Sequence, residues 1–232
     1  MILPIGTIVC ALCVVAGGLI GAAAGDRISS QVKDTLNMIF ALVALSMGII
    51  PMPGIANLPA VVLAVILGTL LGVKIKLGDR VRSGLGKLAG GRCTEDFLTI
   101  AVLFCVSGTG YYGALVEGVT GDHSILLAKA IMDVFTGAIL ATRLGRSVSL
   151  LGIPQFVIHM IIFLIARWIF PLCTPSMIAD FKAAGGYIML ATGLRMLKLK
   201  EDLPTADMIP SLILALPFSW LWATYITPLL GS

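Results

Sequence analysis

Apolar residues run along this chain in long blocks, broken by short stretches of glycine, proline and charge. Each block has about the 20 residues that a helix needs to cross a hydrocarbon layer roughly 30 Å thick. The pattern predicts spans at 2–24, 35–51, 57–74, 97–117, 124–142, 148–170, 183–197 and 206–228. The second and seventh are short. The expected fold is an all-α, polytopic transmembrane helix bundle of about eight spans, with residues 1–232 as a single transmembrane domain.

The polar breaks between the blocks test that count. The first loop carries Arg27 and Lys33, and the third carries Lys74, Lys76, Arg80, Arg82, Lys87 and Arg92. The fifth has Arg143 and Arg146, and the seventh has Arg195, Lys198 and Lys200 at or near it. The even loops carry almost none, Lys182 in the sixth being the exception. Basic residues mark the cytoplasmic side of a membrane protein. The alternation therefore predicts cytoplasmic odd loops and both termini outside.

Composition agrees. Of 232 residues, 58% are hydrophobic and 12% charged, against about 25% charge in a soluble domain. The net charge of +4 sits in the short loops, which makes it an orientation signal and not a nucleic-acid footprint. The basic, glycine-bearing run from Val73 to Thr94 is expected to meet anionic lipid head groups. The first block ends in Ala22-Ala23-Ala24 but has no basic residue before it. A signal peptide needs one, so this block is expected to stay as a membrane helix.

Small residues mark where helices approach. Gly17-x-x-x-Gly21 and Gly18-x-x-x-Ala22 line adjacent rows of the first span. Such rows let helices pack closely in lipid, either within a subunit or in a homodimer. A weak internal repeat is also visible. Leu42–Ile49 is similar to Tyr187–Leu194, and each is followed by a polar break, Ala56-Asn57-Leu58-Pro59 and Ala206-Asp207-Met208-Ile209-Pro210. Five spans lie between the starts of spans 1–3 and 6–8, so a true repeat would be inverted, a plan used by secondary transporters.

Chemistry concentrates in one hairpin. Ser107-Gly108-Thr109-Gly110 falls within the fourth span. It reads either as a broken helix offering oxygen ligands or as close packing through small residues. Glu117 ends that span and reads as an outer-mouth acid or an interfacial residue. Asp122 is placed to cap the next helix. Lys129, Asp133 and Thr136 then share one stripe of the fifth span. A charge at the centre of a membrane helix costs about 2.5–3.5 kcal/mol. Two opposite charges neutralise each other, which fits a structural ion pair; a pathway for an ion or solute is the other reading.

The five cysteines are scattered, and Cys10-x-x-Cys13 lies inside an apolar helix, which points to core packing. His123 and His159 are the only histidines and stand far apart, so no histidine-based metal site is expected. Neither a nucleophile with its base nor a phosphate loop is present. No enzyme activity and no cofactor are expected.

These residues resemble a known family. The run Phe104–Gly110, then Glu117–Asp122, then Ser124–Lys129 with Asp133, is similar to the bacterial membrane family known as domain of unknown function 554, in its YqgA-like branch. Pro4-Ile5-Gly6, Ala56–Ala60 and Thr174–Met177 match as well. Other members often have a different small-residue run at 107–110 and proline at 123. The resemblance implies a bacterial inner-membrane protein and no particular activity. From the residues, transport of a small solute or ion is the expected function. The route would be lined by Ser107, Thr109, Glu117, Lys129, Asp133 and Thr136. The alternative is a non-transporting scaffold locked by Lys129–Asp133.

Overall fold

A computed structural model of the chain describes residues 3–24, 29–80, 83, 104, 108–169, 172–200 and 202–229. Among these every regular element is helical. The helices are α1 (Ile5–Ala24), α2 (Ser30–Ile49), α3 (Leu58–Lys74), α4 (Gly108–Thr120), α5 (Ser124–Leu144), α6 (Gly152–Ile169), α7 (Pro175–Met196) and α8 (Ile209–Leu221). Turns of 3-10 helix occur at Met52–Gly54 and Gly145–Leu151. Five helical stretches are long and apolar enough to cross a membrane: Ile5–Ala24, Ser30–Gly54, Ser124–Thr142, Gly145–Ile169 and Ile209–Leu229. Ser107 and the first part of the expected fourth span, Phe104 excepted, lie outside the described residues, as do Arg27, Arg82, Lys87, Arg92, Cys93 and Cys105.

Local chemistry sets the helix ends. Proline falls in the first turn of α3, α7 and α8, where its missing N–H would have had no intrahelical partner. The Thr174 hydroxyl accepts the Met177 N–H and starts α7. Gly145, at φ +65°, stops α5. Pro217 lies inside α8, and the helix continues as a π-helical turn at Trp222–Ile226.

The chain divides into two compact units, Met1–Phe40 with Val81–Phe170, and Ala41–Arg80 with Pro171–Ser232. The first holds α1, α4, α5 and α6. Here α1 lies along α5 with almost no space between backbones. A Cβ at Gly17 would overlap the Val134 carbonyl, and one at Gly21 the Ala138 carbonyl. Gly18 sits on Ser149. The small-residue rows of the first span thus pack inside the chain. Cys10, Ala114, Leu126 and Ala130 form one core cluster, and Val14, Phe104, Ala141, Val148 and Leu151 another.

The second unit holds α3, α7, α8 and the end of α2. Gly68 and Gly72 of α3 lie against the backbone at Ser211 and Asp207. Gly48 of α2 meets Gly186 of α7, and Gly193 of α7 meets Leu45. The two halves of the apparent repeat, Leu42–Ile49 and Tyr187–Leu194, therefore pack on each other within this unit.

Large apolar side chains cover the outside of the helices, among them Leu12, Ile20, Leu70, Ile153, Ile161 and Trp168. In water this would be a severe aggregation liability. Lipid tails solvate such a surface at no cost.

Candidate functional site

The turn 121–123 leads into α5. Gly121 takes φ +75°, a left-handed conformation that glycine adopts without strain. Asp122 Oδ1 accepts from the Ser124 N–H at 3.0 Å and from its hydroxyl at 2.6 Å. Helical spacing then carries Lys129 and Asp133 to the interior of the first unit, with side chains 4% and 8% exposed. Lys129 Nζ donates to Asp133 Oδ2. The ammonium also lies 5.6 Å from the centre of the Phe104 ring, within range of a cation–π attraction.

Two residues of α6 complete the cluster. Gln155 and His159 are four apart, so they share a face, and both are fully buried. Gln155 Nε2 donates to Asp133 Oδ2 at 2.9 Å. A carboxylate only accepts, so the amide nitrogen must be the atom that faces it. Gln155 Oε1 is buried without a hydrogen-bond partner. Neither ring nitrogen of His159 has one. A buried polar group left unsatisfied costs about 1–3 kcal/mol, and here three such atoms occur on one helix face.

Gly110 of α4 closes the cluster from a third side. A Cβ there would stand 2.6 Å from His159 Nε2 and 3.0 Å from Lys129 Cε. A side chain at this position would have to push one or both of them aside. From α1, Cys10 and Cys13 come within electrostatic reach of Asp133, and the Cys10 thiol donates to the Leu126 carbonyl at 3.1 Å.

Glu117 makes a separate, fully buried arrangement. Its Oε1 accepts the Gly6 N–H at 2.5 Å and meets His123 Nδ1 at 2.6 Å. Its Oε2 accepts the Thr7 hydroxyl at 2.8 Å and the Thr7 N–H at 3.2 Å. These are first-turn donors of α1, which have no partner inside their own helix. Glu117 thus caps α1.

The second unit repeats this device. Asp180, fully buried near the start of α7, accepts the N–H groups of Ala56 and Asn57 and the Asn57 side-chain amide, each at 2.9 Å. The Ser219 hydroxyl donates to it at 2.7 Å. Ala56 and Asn57 lead directly into α3. A buried carboxylate at a helix N-terminus is stabilised by the helix dipole as well as by the donors.

A family model described as "Protein of unknown function (DUF554)" matches residues 5–220. The chain belongs to the DUF554 family. An Escherichia coli (strain K12) relative named "Uncharacterized protein YqgA" is 40% identical over 95% of this chain and 98% of its own length. A Bacillus subtilis (strain 168) relative, "Uncharacterized membrane protein YdfK", is 27% identical over 90% and 93%. No solved structure matches the chain. Apolar helices, lipid-facing side chains and membership in this family make it a membrane protein.

Of the residues expected to matter in this DUF554 protein, the fold brings Lys129 and Asp133 together. Thr109 is buried on α4 beside Gly110, and Thr136 is half-buried on α5. Asp133 takes its hydrogen bonds from Lys129 and Gln155, not from Thr136. Sequence reasoning missed Gln155, His159 and Asp180. The first two carried a readable signal, a pair of polar residues at four-residue spacing in an otherwise apolar span. The apolar pattern starts the seventh span at 183, which leaves Asp180 outside it. The Thr174-Pro175 helix start would have put it inside the helix.

Proposed function

We propose that this DUF554 protein moves a small solute or ion across the bacterial inner membrane. The route lies in the first unit, lined by Lys129, Asp133, Gln155 and His159 on α5 and α6, with Thr109 and Gly110 of α4 beside them. The observation that carries this reading is the set of orphaned polar atoms on Gln155 and His159, buried next to an ion pair. A bundle that needed only a lock would have no use for them, since apolar residues of the same size pack more cheaply. Intramembrane ionisable groups commonly mark ion or substrate pathways. In this proposal the basic loops are cytoplasmic, both termini are outside, and the protein is a carrier and not an enzyme.

Reconstitution into liposomes tests it. Fluxes of protons, sodium and small organic ions are compared for wild type, Asp133→Asn and empty liposomes. Transport predicts a flux above the empty liposomes that Asp133→Asn abolishes. Fluxes that never exceed the empty liposomes overturn it.

One observation favours a second reading. The Lys129–Asp133 pair is enclosed, as a structural lock in a scaffold or homodimerising assembly factor would be. That reading predicts no flux, with Asp133→Asn lowering stability alone.

A further inference from the structure

Three atoms in the first unit lack partners: Gln155 Oε1, His159 Nδ1 and His159 Nε2. Two of them are acceptors that protonation of Asp133 would call on, one for its own O–H and one for the Lys129 ammonium it releases. Gln155 Nε2 already donates to Asp133 Oδ2. If Asp133 carried a proton on Oδ1, that O–H would face the same amide, and Gln155 Oε1 would accept it. Carboxylic acid and amide would then form a closed pair of hydrogen bonds.

Lys129 would be released by the same event, because its partner would no longer be charged. Its Cε and His159 Nε2 flank Gly110 closely, at 3.0 and 2.6 Å from one shared point. Rotation about the last bonds of the Lys129 side chain would then carry the ammonium from Asp133 towards that nitrogen. With the imidazole proton on Nδ1, Nε2 is a lone-pair acceptor. Ammonium and imidazole would then be hydrogen-bonded, and two of the three orphaned atoms would have partners.

We infer that Lys129, Asp133, Gln155 and His159 form a two-state proton-binding site, in which Lys129 moves from Asp133 to His159 when Asp133 takes up a proton. This rests on the transport reading for the use of the proton as coupling ion, but not for its binding. The step is balanced: a hydronium ion of the bulk gives its proton to Asp133 Oδ1 and is left as water, no covalent bond within the cluster breaks, and the cluster gains one positive charge, carried by Lys129. A proton also suits the confinement. The cluster is enclosed, and it cannot take even a methyl group at Gly110 without a shift, which leaves little room for a hydrated metal ion. The surrounding groups are accounted for. Cys10 and Cys13 approach Asp133 from α1. Glu117 of α4 is held by α1 and His123. Phe104 lies by the ammonium.

The test is a pH titration of the full chain in lipid, read by infrared difference spectroscopy and by nitrogen NMR of labelled histidine. Wild type should gain the carbonyl band of a hydrogen-bonded, protonated carboxylic acid as pH falls. Asp133→Asn should lose that band, and Gln155→Leu should shift it to the position of an acid without a hydrogen bond. The chain has only two histidines, so the His159 signals are assigned by their loss in His159→Phe. In wild type, Nε2 should shift to a hydrogen-bonded value over the same pH range. A band that survives in Asp133→Asn overturns the inference. So does wild type that shows neither change across the pH range where it stays folded. The band and shift without any liposome flux would support the proton site and end the transport reading. Flux without them would do the reverse.

Discussion

The Oε1 atom of Glu117 stands 2.5 Å from the backbone nitrogen of Gly6, a residue 111 positions earlier in the chain. This contact and its neighbours at Thr7 fix the start of α1 against the end of α4. In Glu117→Ala the Gly6 and Thr7 N–H groups would be left buried without acceptors. Each such group costs about 1–3 kcal/mol, so a loss of about 2–5 kcal/mol is expected. Glu117→Gln keeps one acceptor oxygen and should lose less. Equilibrium unfolding in mixed micelles measures both. Equal stability of Glu117→Ala and wild type would show that the cap contributes nothing.

Asp180 makes the same kind of contact in the second unit, where it supports α3. Asp180→Ala removes the acceptor for two backbone N–H groups, an amide and a hydroxyl. A loss of about 3–5 kcal/mol is expected, as for a broken buried network. Ser219→Ala alone should cost about 1 kcal/mol. The double variant should be no worse than Asp180→Ala, because both act on one network. Additive losses in unfolding experiments would mean that Ser219 has another role.

Much of the frame could be read from the residues, because the hydrocarbon layer imposes a length and a polarity on each helix. The glycine row of α1 was legible for the same reason: in lipid, small residues are the main means of close approach. What Glu117 and Asp180 bind was not legible. Their partners are backbone N–H groups more than 100 residues away, and a backbone donor leaves no mark in a sequence. Gln155 and His159 give a weaker signal because neither carries a fixed charge, although their four-residue spacing matches that of Lys129 and Asp133. No residue pattern could show that their polar atoms lack partners. That is a property of packing alone.

Glycine contacts give a graded prediction. Gly21→Ala places a methyl group into the Ala138 carbonyl, and Gly17→Ala into that of Val134. Backbone on both sides cannot yield, so each should lose about 1–3 kcal/mol or more. Gly54 has nothing near its side-chain position and no positive φ. Gly54→Ala should be neutral or stabilise by up to about 1 kcal/mol. Thermal unfolding of the three variants checks the order. A Gly21→Ala protein as stable as Gly54→Ala would contradict the close packing of α1 on α5.

Cys173 lies between α6 and α7, where burial raises its thiol above the usual value. The thiolate is the reactive form. A raised value means less thiolate at a given pH, so labelling should be slower than for an exposed cysteine and should rise at higher pH. In a variant retaining only Cys173, a membrane-impermeant maleimide applied to intact cells should react, since the sixth loop is expected outside. Labelling only after the cells are opened would invert the proposed orientation.

Gly110→Ala tests the cluster with the smallest change available. The added methyl group would meet His159 Nε2 at 2.6 Å and Lys129 Cε at 3.0 Å. Both neighbours are side chains, so they can move aside where a backbone carbonyl could not. The expected stability loss is therefore modest, about 1–2 kcal/mol, smaller than for Gly21→Ala. The displaced groups are the two between which the ammonium would pass. Liposome flux should consequently fall by at least about tenfold, as a barrier raised by about 1.4 kcal/mol would produce, while the protein still unfolds cooperatively. A Gly110→Ala protein with wild-type flux would mean that His159 and Lys129 do not act together. A protein that loses stability as severely as Gly21→Ala would mean that this corner of α4 serves packing first.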